Sequence, residues 1–197
     1  MDPVILLDMD GVLADFVGAA LRVHGIGRET FDAVHERQPG NYDLAAPLGM
    51  TENEFWEPIN QSGYRFWQDM EPTPWFDRVI TLAEETVGQN WFIVTSPCRD
   101  RAACCLGKHL WVENHLGRTF DRLIPTGYKH LLARKDAILI DDREETVEKF
   151  RKAGGGRGIV FPTQHNSLYA FKHRPVSYVR EQLGSMNMKF GEAAKVM

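Results

Sequence analysis

Two aspartates, one residue apart, follow the first apolar run of the chain, residues 4–7. If this run is a strand whose extended geometry persists, the alternation of side chains places Asp8 and Asp10 toward the same side. Two carboxylates so close repel each other unless a cation or a proton intervenes. Gly11 permits a tight turn, and the helix expected after it can direct N–H groups at an anion. The segment predicts a site for a divalent cation and a phosphate, although a helix cap plus a turn aspartate would give the same pattern.

Side chains suited to phosphate or metal also stand at the ends of later apolar runs. The run WFIVT ends in Thr95 and is followed by Ser96, and both hydroxyls can donate hydrogen bonds to phosphate oxygens. The run AILID ends in Asp141 and is followed by Asp142, which forms a second carboxylate pair. Between the two runs lies Lys129, an ammonium suited to a phosphate. Each feature alone is weak, but their order along the chain predicts phosphate chemistry.

The elements that must position these residues are short runs rich in Ile, Val and Leu, which predict buried parallel strands. These runs are Val4–Asp8, Trp91–Thr95, Arg122–Pro125, Ala137–Asp141 and Gly158–Phe161. Helical spacing of apolar residues over 99–115 and 144–153 places helices between strands. The alternation predicts an α/β fold, a Rossmann-like parallel sheet with helices on both faces. Ligands of such sheets bind beyond the carboxyl ends of the strands, where the polar residues stand.

The stretch 18–74 interrupts this alternation because it contains no convincing strand. The sequence Thr51-Glu52-Asn53-Glu54 predicts a capped helix start, and several aromatic residues follow it. We interpret 18–74 as a small helical cap inserted after the first strand. Residues 1–17 and 75–184 are then the α/β core, and residues 185–197 form a C-terminal tail.

Composition limits the partners of the chain. Of its 197 residues 43% are hydrophobic, and the formal net charge is −4. This charge gives no overall bias toward a nucleic acid polymer or an anionic membrane, and no apolar run approaches the roughly 20 residues that cross a bilayer. The three cysteines, odd in number and without a CxxC pair, fit a reducing cytoplasm. We expect a cytoplasmic protein that acts on a small molecule, with a homodimer left open.

The ordered set Asp-x-Asp-Gly, Thr-Ser, Lys and Asp-Asp resembles the four motifs of the haloacid dehalogenase (HAD) superfamily of phosphotransferases. Within that superfamily the chain is more similar to the 5′(3′)-deoxyribonucleotidases. The segments that carry this resemblance, which spans nearly the whole chain, are DMDGVLADF, MEPTPW, TSP, WVENHLG, LIDDR and VFPTQHN. The resemblance implies a Mg²⁺-dependent phosphomonoester hydrolase that acts on (deoxy)nucleoside monophosphates through an aspartyl-phosphate.

The resemblance also implies catalytic and metal-binding roles for the four aspartates. Asp8 would attack phosphorus, and Asp10 would protonate the leaving oxygen and then deprotonate the attacking water. Asp8, the backbone carbonyl of Asp10 and the Asp142 carboxylate would bind Mg²⁺, with Asp141 beside them. These ligands are the hard oxygen atoms that Mg²⁺ prefers.

For the phosphate, the resemblance implies contacts from Thr95 and Ser96, with Ser96 the preferred direct donor. Lys129 would neutralise the phosphate and the nucleophile. The spacing of Lys129 from the second acid pair is slightly long, so Lys135 remains a second candidate for this lysine. The family also carries an Arg two residues before the lysine, where this chain has Gly127. A contact with the substrate is therefore expected to be missing.

For the leaving group, the resemblance implies a flat apolar slot suited to a nucleobase. The implied pocket residues are Phe16, Tyr42, Phe66, Trp67 and Arg143. Packing of the same aromatic rings in the core of the cap would give the same composition.

Three alternative functions stay open at this point. The chain could be a HAD phosphatase for another small phosphomonoester, such as a sugar phosphate. A dehalogenase would need Asp8 but not the acid at Asp10, whose presence favours phosphate ester hydrolysis. A non-enzymatic nucleotide-binding module would be expected to lose some catalytic positions, and all four motifs are retained here.

Overall fold

The computed structural model describes residues 2–36, 38–98 and 100–186. Its centre is a five-stranded parallel sheet with the strand order β3-β2-β1-β4-β5. The strands are β1 (Val4–Leu7), β2 (Trp91–Thr95), β3 (Leu123–Pro125), β4 (Ala137–Asp141) and β5 (Arg157–Val160). Each lies within one residue of the predicted run at either end, and the α/β prediction is confirmed.

Helices cover both faces of the sheet and supply the segment between β1 and β2. They are α1 (Phe16–His24), α2 (Arg28–His35), α3 (Glu52–Gln61), α4 (Tyr64–Gln68), α5 (Phe76–Val87), α6 (Arg101–Leu116), α7 (Glu144–Lys152) and α8 (Pro175–Ser185). Short 3₁₀ helices span Ala46–Leu48, Lys129–Leu132 and Tyr169–Phe171. The division of the chain into an α/β core and a cap stays a prediction.

The start of α3 confirms the capping box that the sequence predicted. The Thr51 hydroxyl accepts a hydrogen bond from the Glu54 backbone N–H at 3.2 Å, and the Glu54 carboxylate accepts one from the Thr51 backbone N–H at 2.7 Å. Helix α6 begins at Arg101, two residues later than predicted, because Asp100 accepts a hydrogen bond from the Ala103 N–H and caps it. The predicted first residue, Arg99, lies outside the described residues, as do positions 187–197 of the predicted tail.

Two apolar clusters, one large and one small, hold the sheet between its helices. The larger cluster joins strand residues such as Leu7 and Ile140 to Phe55 of α3, Trp67 of α4 and Trp111 of α6. The segment that follows β1 is therefore packed into the same core as the sheet. Within the described ranges, no helix combines the length and the apolar character needed to cross a membrane.

The register of the strands brings the polar residues together at one edge of the sheet. Leu7 of β1 pairs with both Ile93 of β2 and Ile140 of β4. Asp8 therefore follows at the same level as the ends of both neighbouring strands. In all three central strands the apolar residues end at this level and polar residues follow. The carboxyl ends of these strands therefore form a polar surface, the floor of the site.

Candidate active site

Three buried aspartates form a cluster beyond the ends of β1 and β4. Carboxylate oxygens of Asp8, Asp141 and Asp142 all lie within 4.8 Å of one another, an arrangement that could hold a metal ion. Asp8 follows the last residue of β1, whereas Asp141 ends β4 and Asp142 follows it. The sequence placed these residues at strand ends, and the order of the strands makes β1 and β4 neighbours.

One lysine bridges two of the three carboxylates. The Lys129 ammonium lies 2.6 Å from Asp8 Oδ1 and 2.7 Å from Asp141 Oδ2. Burial on its own would lower the pKa of Lys129, but the two carboxylates outweigh it and raise that pKa above its ordinary value. Lys129 is therefore protonated. Lys135, the second candidate, is exposed and lies beside Gly155 instead.

The cluster holds more carboxyl groups than the Lys129 ammonium can neutralise. Burial, followed by repulsion from Asp8, raises the pKa of Asp141 to about 7. Burial, followed by repulsion from Asp141 and Asp8, raises the pKa of Asp142 well above its ordinary value. If all three carboxylates ionise, the one ammonium leaves two negative charges without a counter-charge. A divalent cation would balance them, so the donor set fits a hard metal ion such as Mg²⁺.

The surroundings of Asp142 fit a metal ligand better than those of Asp141. Both Asp141 oxygens are engaged, Oδ2 by Lys129 and Oδ1 by the Arg143 backbone N–H at 2.9 Å. Each Asp142 oxygen meets only the Tyr42 hydroxyl, at 3.4 Å, among the hydrogen bonds of the described residues. Asn166 holds the backbone of Asp142 by donating to its carbonyl at 2.9 Å.

Gly11 makes room for this carboxylate. Its φ is +79°, in the left-handed region, and a Cβ built on it would lie 2.5 Å from Asp142 Oδ2. A larger residue would both strain the turn and displace the acid. The turn after the Asp-x-Asp pair therefore requires a glycine at position 11. Asp142 of the second carboxylate pair, 131 positions further along the chain, requires it as well.

Asp10 is held by a lysine that the sequence analysis did not select. The Lys108 ammonium, which is buried, lies 2.5 Å from Asp10 Oδ2 and donates to Thr95 Oγ1 at 2.8 Å and to the Ser96 carbonyl at 3.1 Å. Burial and then repulsion from Asp8 raise the pKa of Asp10, although Lys108 opposes the shift. Asp10 Oδ1 is buried and has no hydrogen-bond partner among the described residues.

A signal for Lys108 does exist in the sequence. Cys104, Lys108 and Trp111 are spaced by four and three residues, so they share one face of α6. Cys104 and Trp111 are fully buried, and Lys108 is 1% exposed. A lysine on the apolar face of a helix needs an anionic partner, because a buried unpaired ammonium is unstable.

The two hydroxyls predicted to bind phosphate lie in different surroundings. Thr95 is buried at the end of β2, and its hydroxyl oxygen accepts the hydrogen bond from Lys108. Ser96 lines a cavity of about 600 Å³ whose floor includes Asp8, Asp10 and Lys129. Ser96 is therefore placed to meet a ligand, and Thr95 lies behind it.

The walls of this cavity come largely from the segment that follows β1. Apolar side chains on the wall are Phe16, Val17, Leu44, Ala45, Ala46, Met50, Phe55 and Trp56. Tyr42 and Arg143, both predicted pocket residues, also line it, and the Arg143 guanidinium lies 5.0 Å from the centre of the Tyr42 ring. A larger cavity of about 720 Å³ adjoins Gly11 and Asp142, but it does not reach Asp8 or Asp10.

The predicted placement of Phe66 and Trp67 in the pocket was wrong. Both are buried in α4 and neither lines the cavity. Trp67 stacks behind Phe16, with ring centres 5.8 Å apart and an interplanar angle of 21°, and the Lys108 ammonium lies 4.8 Å from the centre of its ring. Packing of α4 against α6 takes these two rings into the core and leaves Phe16 on the cavity wall.

Comparison with known proteins points to one family. A family model described as "5′ nucleotidase, deoxy (Pyrimidine), cytosolic type C protein" matches residues 2–184. The human mitochondrial 5′(3′)-deoxyribonucleotidase is 31% identical over 150 residues, which cover 72% of this chain and 62% of that protein. The human cytosolic-type 5′(3′)-deoxyribonucleotidase is 31% identical over 173 residues, which cover 82% of this chain and 81% of that protein. The chain spans less than two thirds of the mitochondrial relative.

Solved structures support the same fold. A HAD-family hydrolase from Deinococcus radiodurans R1, solved with bound phosphate and sodium, aligns with a TM-score of 0.54. The alignment covers 95% of this chain and 97% of that chain at 13% sequence identity. Similarity at this level identifies the shared HAD-like architecture and carries no information about the substrate.

Proposed function

Because the chain belongs to the family of 5′ nucleotidase, deoxy (pyrimidine), cytosolic type C proteins, we propose that it is a Mg²⁺-dependent 5′(3′)-deoxyribonucleotidase. It would release phosphate from deoxynucleoside monophosphates through an aspartyl-phosphate. The observation that carries the proposal is the position of Asp8, Asp10, Lys129 and Ser96 together at the floor of one apolar-walled cavity.

In the first step, a carboxylate oxygen of Asp8 attacks phosphorus, and the bond between phosphorus and the leaving oxygen breaks. Asp10 gives its proton to that oxygen, so the nucleoside leaves as an alcohol. In the second step, Asp10 takes a proton from water, whose oxygen attacks phosphorus and releases Asp8 as a free carboxylate. The raised pKa of Asp10 suits both roles, since an acid–base catalyst works best with a pKa near the working pH.

The nucleophile is oriented before substrate arrives. Asp8 Oδ1 accepts hydrogen bonds from the Met9 backbone N–H at 2.7 Å and from Lys129 at 2.6 Å. These two donors fix the carboxylate plane, and Lys129 offsets the repulsion between Asp8 and an incoming phosphate. The Ser96 hydroxyl supplies a hydrogen-bond donor on the same floor. Donors and cations held in place stabilise the charge that develops on the phosphoryl oxygens.

Asp8, Asp142 and the backbone carbonyl of Asp10 are the groups that would hold Mg²⁺. When bound, the ion supplies positive charge that neutralises the carboxylates and polarises the phosphoryl group. Asp141 acts through Lys129 in this proposal, because both of its oxygens are already engaged.

The cavity walls favour a nucleoside as the leaving group. Phe16, Met50, Phe55 and Trp56 give part of the cavity wall an apolar character. Stacking of a base on such rings stabilises binding by roughly 1–3 kcal/mol. A hexose, with hydroxyls around its ring, would gain less from contact with these apolar side chains.

The decisive experiment measures phosphate release by the purified protein with and without Mg²⁺. The first substrate is a generic aryl phosphate, and panels of deoxynucleoside monophosphates and hexose phosphates follow. We expect activity that a chelator abolishes and Mg²⁺ restores, with higher kcat/KM for the nucleotides. Ca²⁺ should inhibit, since its longer bonds and looser geometry misplace the nucleophile.

The control for this experiment is Asp8→Asn, a nearly isosteric change that removes the nucleophile and should abolish turnover. Full activity in excess chelator would contradict the metal requirement. Hydrolysis of hexose phosphates in preference to nucleotides would favour a sugar phosphatase instead. A cytoplasmic location and a homodimer remain predictions from the sequence.

A further inference from the structure

Two cysteines meet at the wall of the cavity, close to the proposed phosphate-binding loop. The Cys98 backbone N–H donates a hydrogen bond to Cys104 Sγ at 3.2 Å, and the two thiols are hydrogen-bonded to each other. Cys98 is partly buried and lines the cavity, whereas Cys104 is fully buried in α6. The pair therefore has one sulfur that a small solute can reach through the cavity and one that it cannot.

We propose that Cys98 and Cys104 form a site of reversible oxidation, at which a hydroperoxide converts the two thiols to a disulfide and slows turnover. The disulfide itself does not depend on the function proposed above, whereas its effect on turnover rests on that function. The mechanism proposed for phosphate release uses neither sulfur atom. Such a bond is compatible with the reducing cytoplasm expected from the sequence, where disulfides are transient and sense redox state.

The local fold brings the two side chains together before oxidation. A disulfide forms without large backbone movement only where the two side chains already face each other. Cys98 lies just before Asp100, which caps α6, and Cys104 lies in the first turn of that helix. The cap folds the loop back on the helix, because the Asp100 side chain accepts a hydrogen bond from the Ala103 N–H.

The surroundings of the pair favour loss of a proton at Cys104. The hydrogen bond from Cys98 lowers the pKa of the Cys104 thiol, and the Lys108 ammonium, one turn further along α6, lowers it as well against the effect of burial. The same hydrogen bond, together with burial, raises the pKa of Cys98, which keeps its proton as the donor. Since a thiolate is the reactive form of cysteine, the Cys104 sulfur is placed to accept the proton of Cys98 when Cys98 reacts.

The oxidation takes place in two balanced steps. In the first, the Cys98 proton moves to Cys104, and the Cys98 sulfur attacks an oxygen of hydrogen peroxide. The O–O bond breaks, Cys98 becomes a sulfenic acid, and the hydroxide that leaves takes the proton from Cys104 to form water. In the second, the Cys104 thiolate attacks the Cys98 sulfur, the S–O bond breaks, and hydroxide leaves and is protonated by solvent. The two sulfurs lose two electrons in all, and the peroxide gains them.

The new bond would displace proposed catalytic groups on both of its sides. Ser96 lies two residues before Cys98, and Lys108, which holds Asp10, lies one turn after Cys104. The Lys108 ammonium also donates to the Ser96 carbonyl, so the loop and the helix are joined at the same place. A covalent bond is shorter than a hydrogen-bonded contact between two sulfurs, so these segments must shift as the bond forms. A misplacement of about 1 Å in a catalytic site can cost on the order of 10²-fold in rate.

The test treats the purified protein with hydrogen peroxide, removes the peroxide, and then measures free thiols, linked peptides and turnover of an aryl phosphate. We expect the number of free thiols to fall from three to one. Mass spectrometry should find the peptides of Cys98 and Cys104 joined, since trypsin cleaves at Arg101 between them. We expect kcat to fall by about tenfold or more, and dithiothreitol should restore both the thiols and kcat.

Cys105→Ala is the matched control, because Cys105 is adjacent to Cys104 but does not line the cavity. This variant should form the same disulfide as the wild type and lose the same fraction of its activity. Cys98→Ala should form no link between the two tryptic peptides and should keep the activity that it has before treatment. Because Cys98 is only partly buried, this second variant removes the thiol with little effect on the core.

Three results would overturn the proposed oxidation site: no loss of thiols, a disulfide that disappears in Cys105→Ala, or equal inactivation of Cys98→Ala. A mapped disulfide that leaves turnover unchanged would overturn its effect on the site. All of these results leave the nucleotidase function standing. Absence of turnover of every phosphate ester by the reduced protein would instead overturn that function, while the thiol count and the peptide map would still report on the disulfide.

Discussion

The Lys108 ammonium lies 2.5 Å from Asp10 Oδ2, although the two residues are 98 positions apart in the sequence. The same ammonium donates to the carbonyl of Ser96 and to the hydroxyl of Thr95. One side chain from α6 thus fixes the proposed acid–base catalyst relative to the proposed phosphate-binding loop. We infer that Lys108 is a positioning residue, because it acts on the reaction through Asp10 and not through the substrate.

Replacement of Lys108 by methionine should lower kcat by about 10–100-fold, with a smaller effect on KM; this is less than the roughly 10²–10⁴-fold usual for removal of an acid–base catalyst itself, because Lys108 acts through Asp10. Lys108 lowers the pKa of Asp10, so its removal raises that pKa further. The low-pH limb of kcat, which requires ionised Asp10 in the second step, should move to higher pH. Lys152→Met, at an exposed ion pair on α7, is the control. An unshifted pH profile in Lys108→Met would contradict the link to Asp10.

Lys108 is also the site residue that the sequence did not predict. The strand ends could be predicted because apolar runs stop abruptly at Asp8, Thr95 and Asp141, and parallel strands share one functional edge. Lys108 lies thirteen residues beyond Thr95, inside a helix, where no strand end marks it. Only the face of α6 that it shares with buried Cys104 and Trp111 gives a signal.

The segment that follows β1 was less predictable than the sheet for a physical reason. An aromatic residue gives the same sequence signal whether its ring packs in the core or against a ligand. Phe16 and Trp67 are both aromatic and stack on each other, yet only Phe16 reaches the cavity. Which of the two rings faces the cavity depends on how α4 packs against α6. The local sequence pattern does not determine this packing.

Replacement of Asp10 by asparagine should reduce turnover on the order of 10²–10⁴-fold, and the size of the loss should depend on the leaving group. A deoxynucleoside leaves as a poor alkoxide and needs the proton, whereas a nitrophenolate leaves without one. The rate loss measured for aryl phosphates in single-turnover experiments should therefore be much smaller. An equal loss for both substrates would argue against Asp10 as the general acid.

Stability of the metal-free protein should fall as pH rises. The pKa of Asp141 is raised to about 7, and that of Asp142 is raised as well, so the folded state binds more protons than the unfolded chain above about pH 4. The free energy of unfolding therefore decreases between about pH 4 and pH 7 as Asp141 ionises, and Asp142 contributes in the same direction. Mg²⁺ should raise Tm more at pH 8 than at pH 5.5, because its ligands must be deprotonated.

The matched variant for this effect is Asp142→Asn. It removes a buried carboxyl that repels Asp8 and Asp141 when ionised, so in chelator at pH 8 it should melt a few degrees above the wild type, where 1 kcal/mol corresponds to roughly 2–4 °C for a chain of this length. It should also lose most of the stabilisation by Mg²⁺. A variant that melts lower than the wild type in chelator would show that repulsion within the cluster is not a significant term.

Phe16 and Trp67 should respond differently to truncation, because one ring faces the cavity and the other is buried behind it. Phe16→Ala should raise KM for deoxynucleoside monophosphates about tenfold, as expected from the loss of a stacking contact, with little change for a small aryl phosphate. Trp67→Ala should lower the free energy of unfolding by about 3–5 kcal/mol and, since Lys108 lies against that ring, reduce kcat for both substrates alike. Thermal melts run beside the two sets of kinetics separate the roles. A stable Trp67→Ala protein with a defect confined to nucleotides would place Trp67 in contact with the base, contrary to its position in the core.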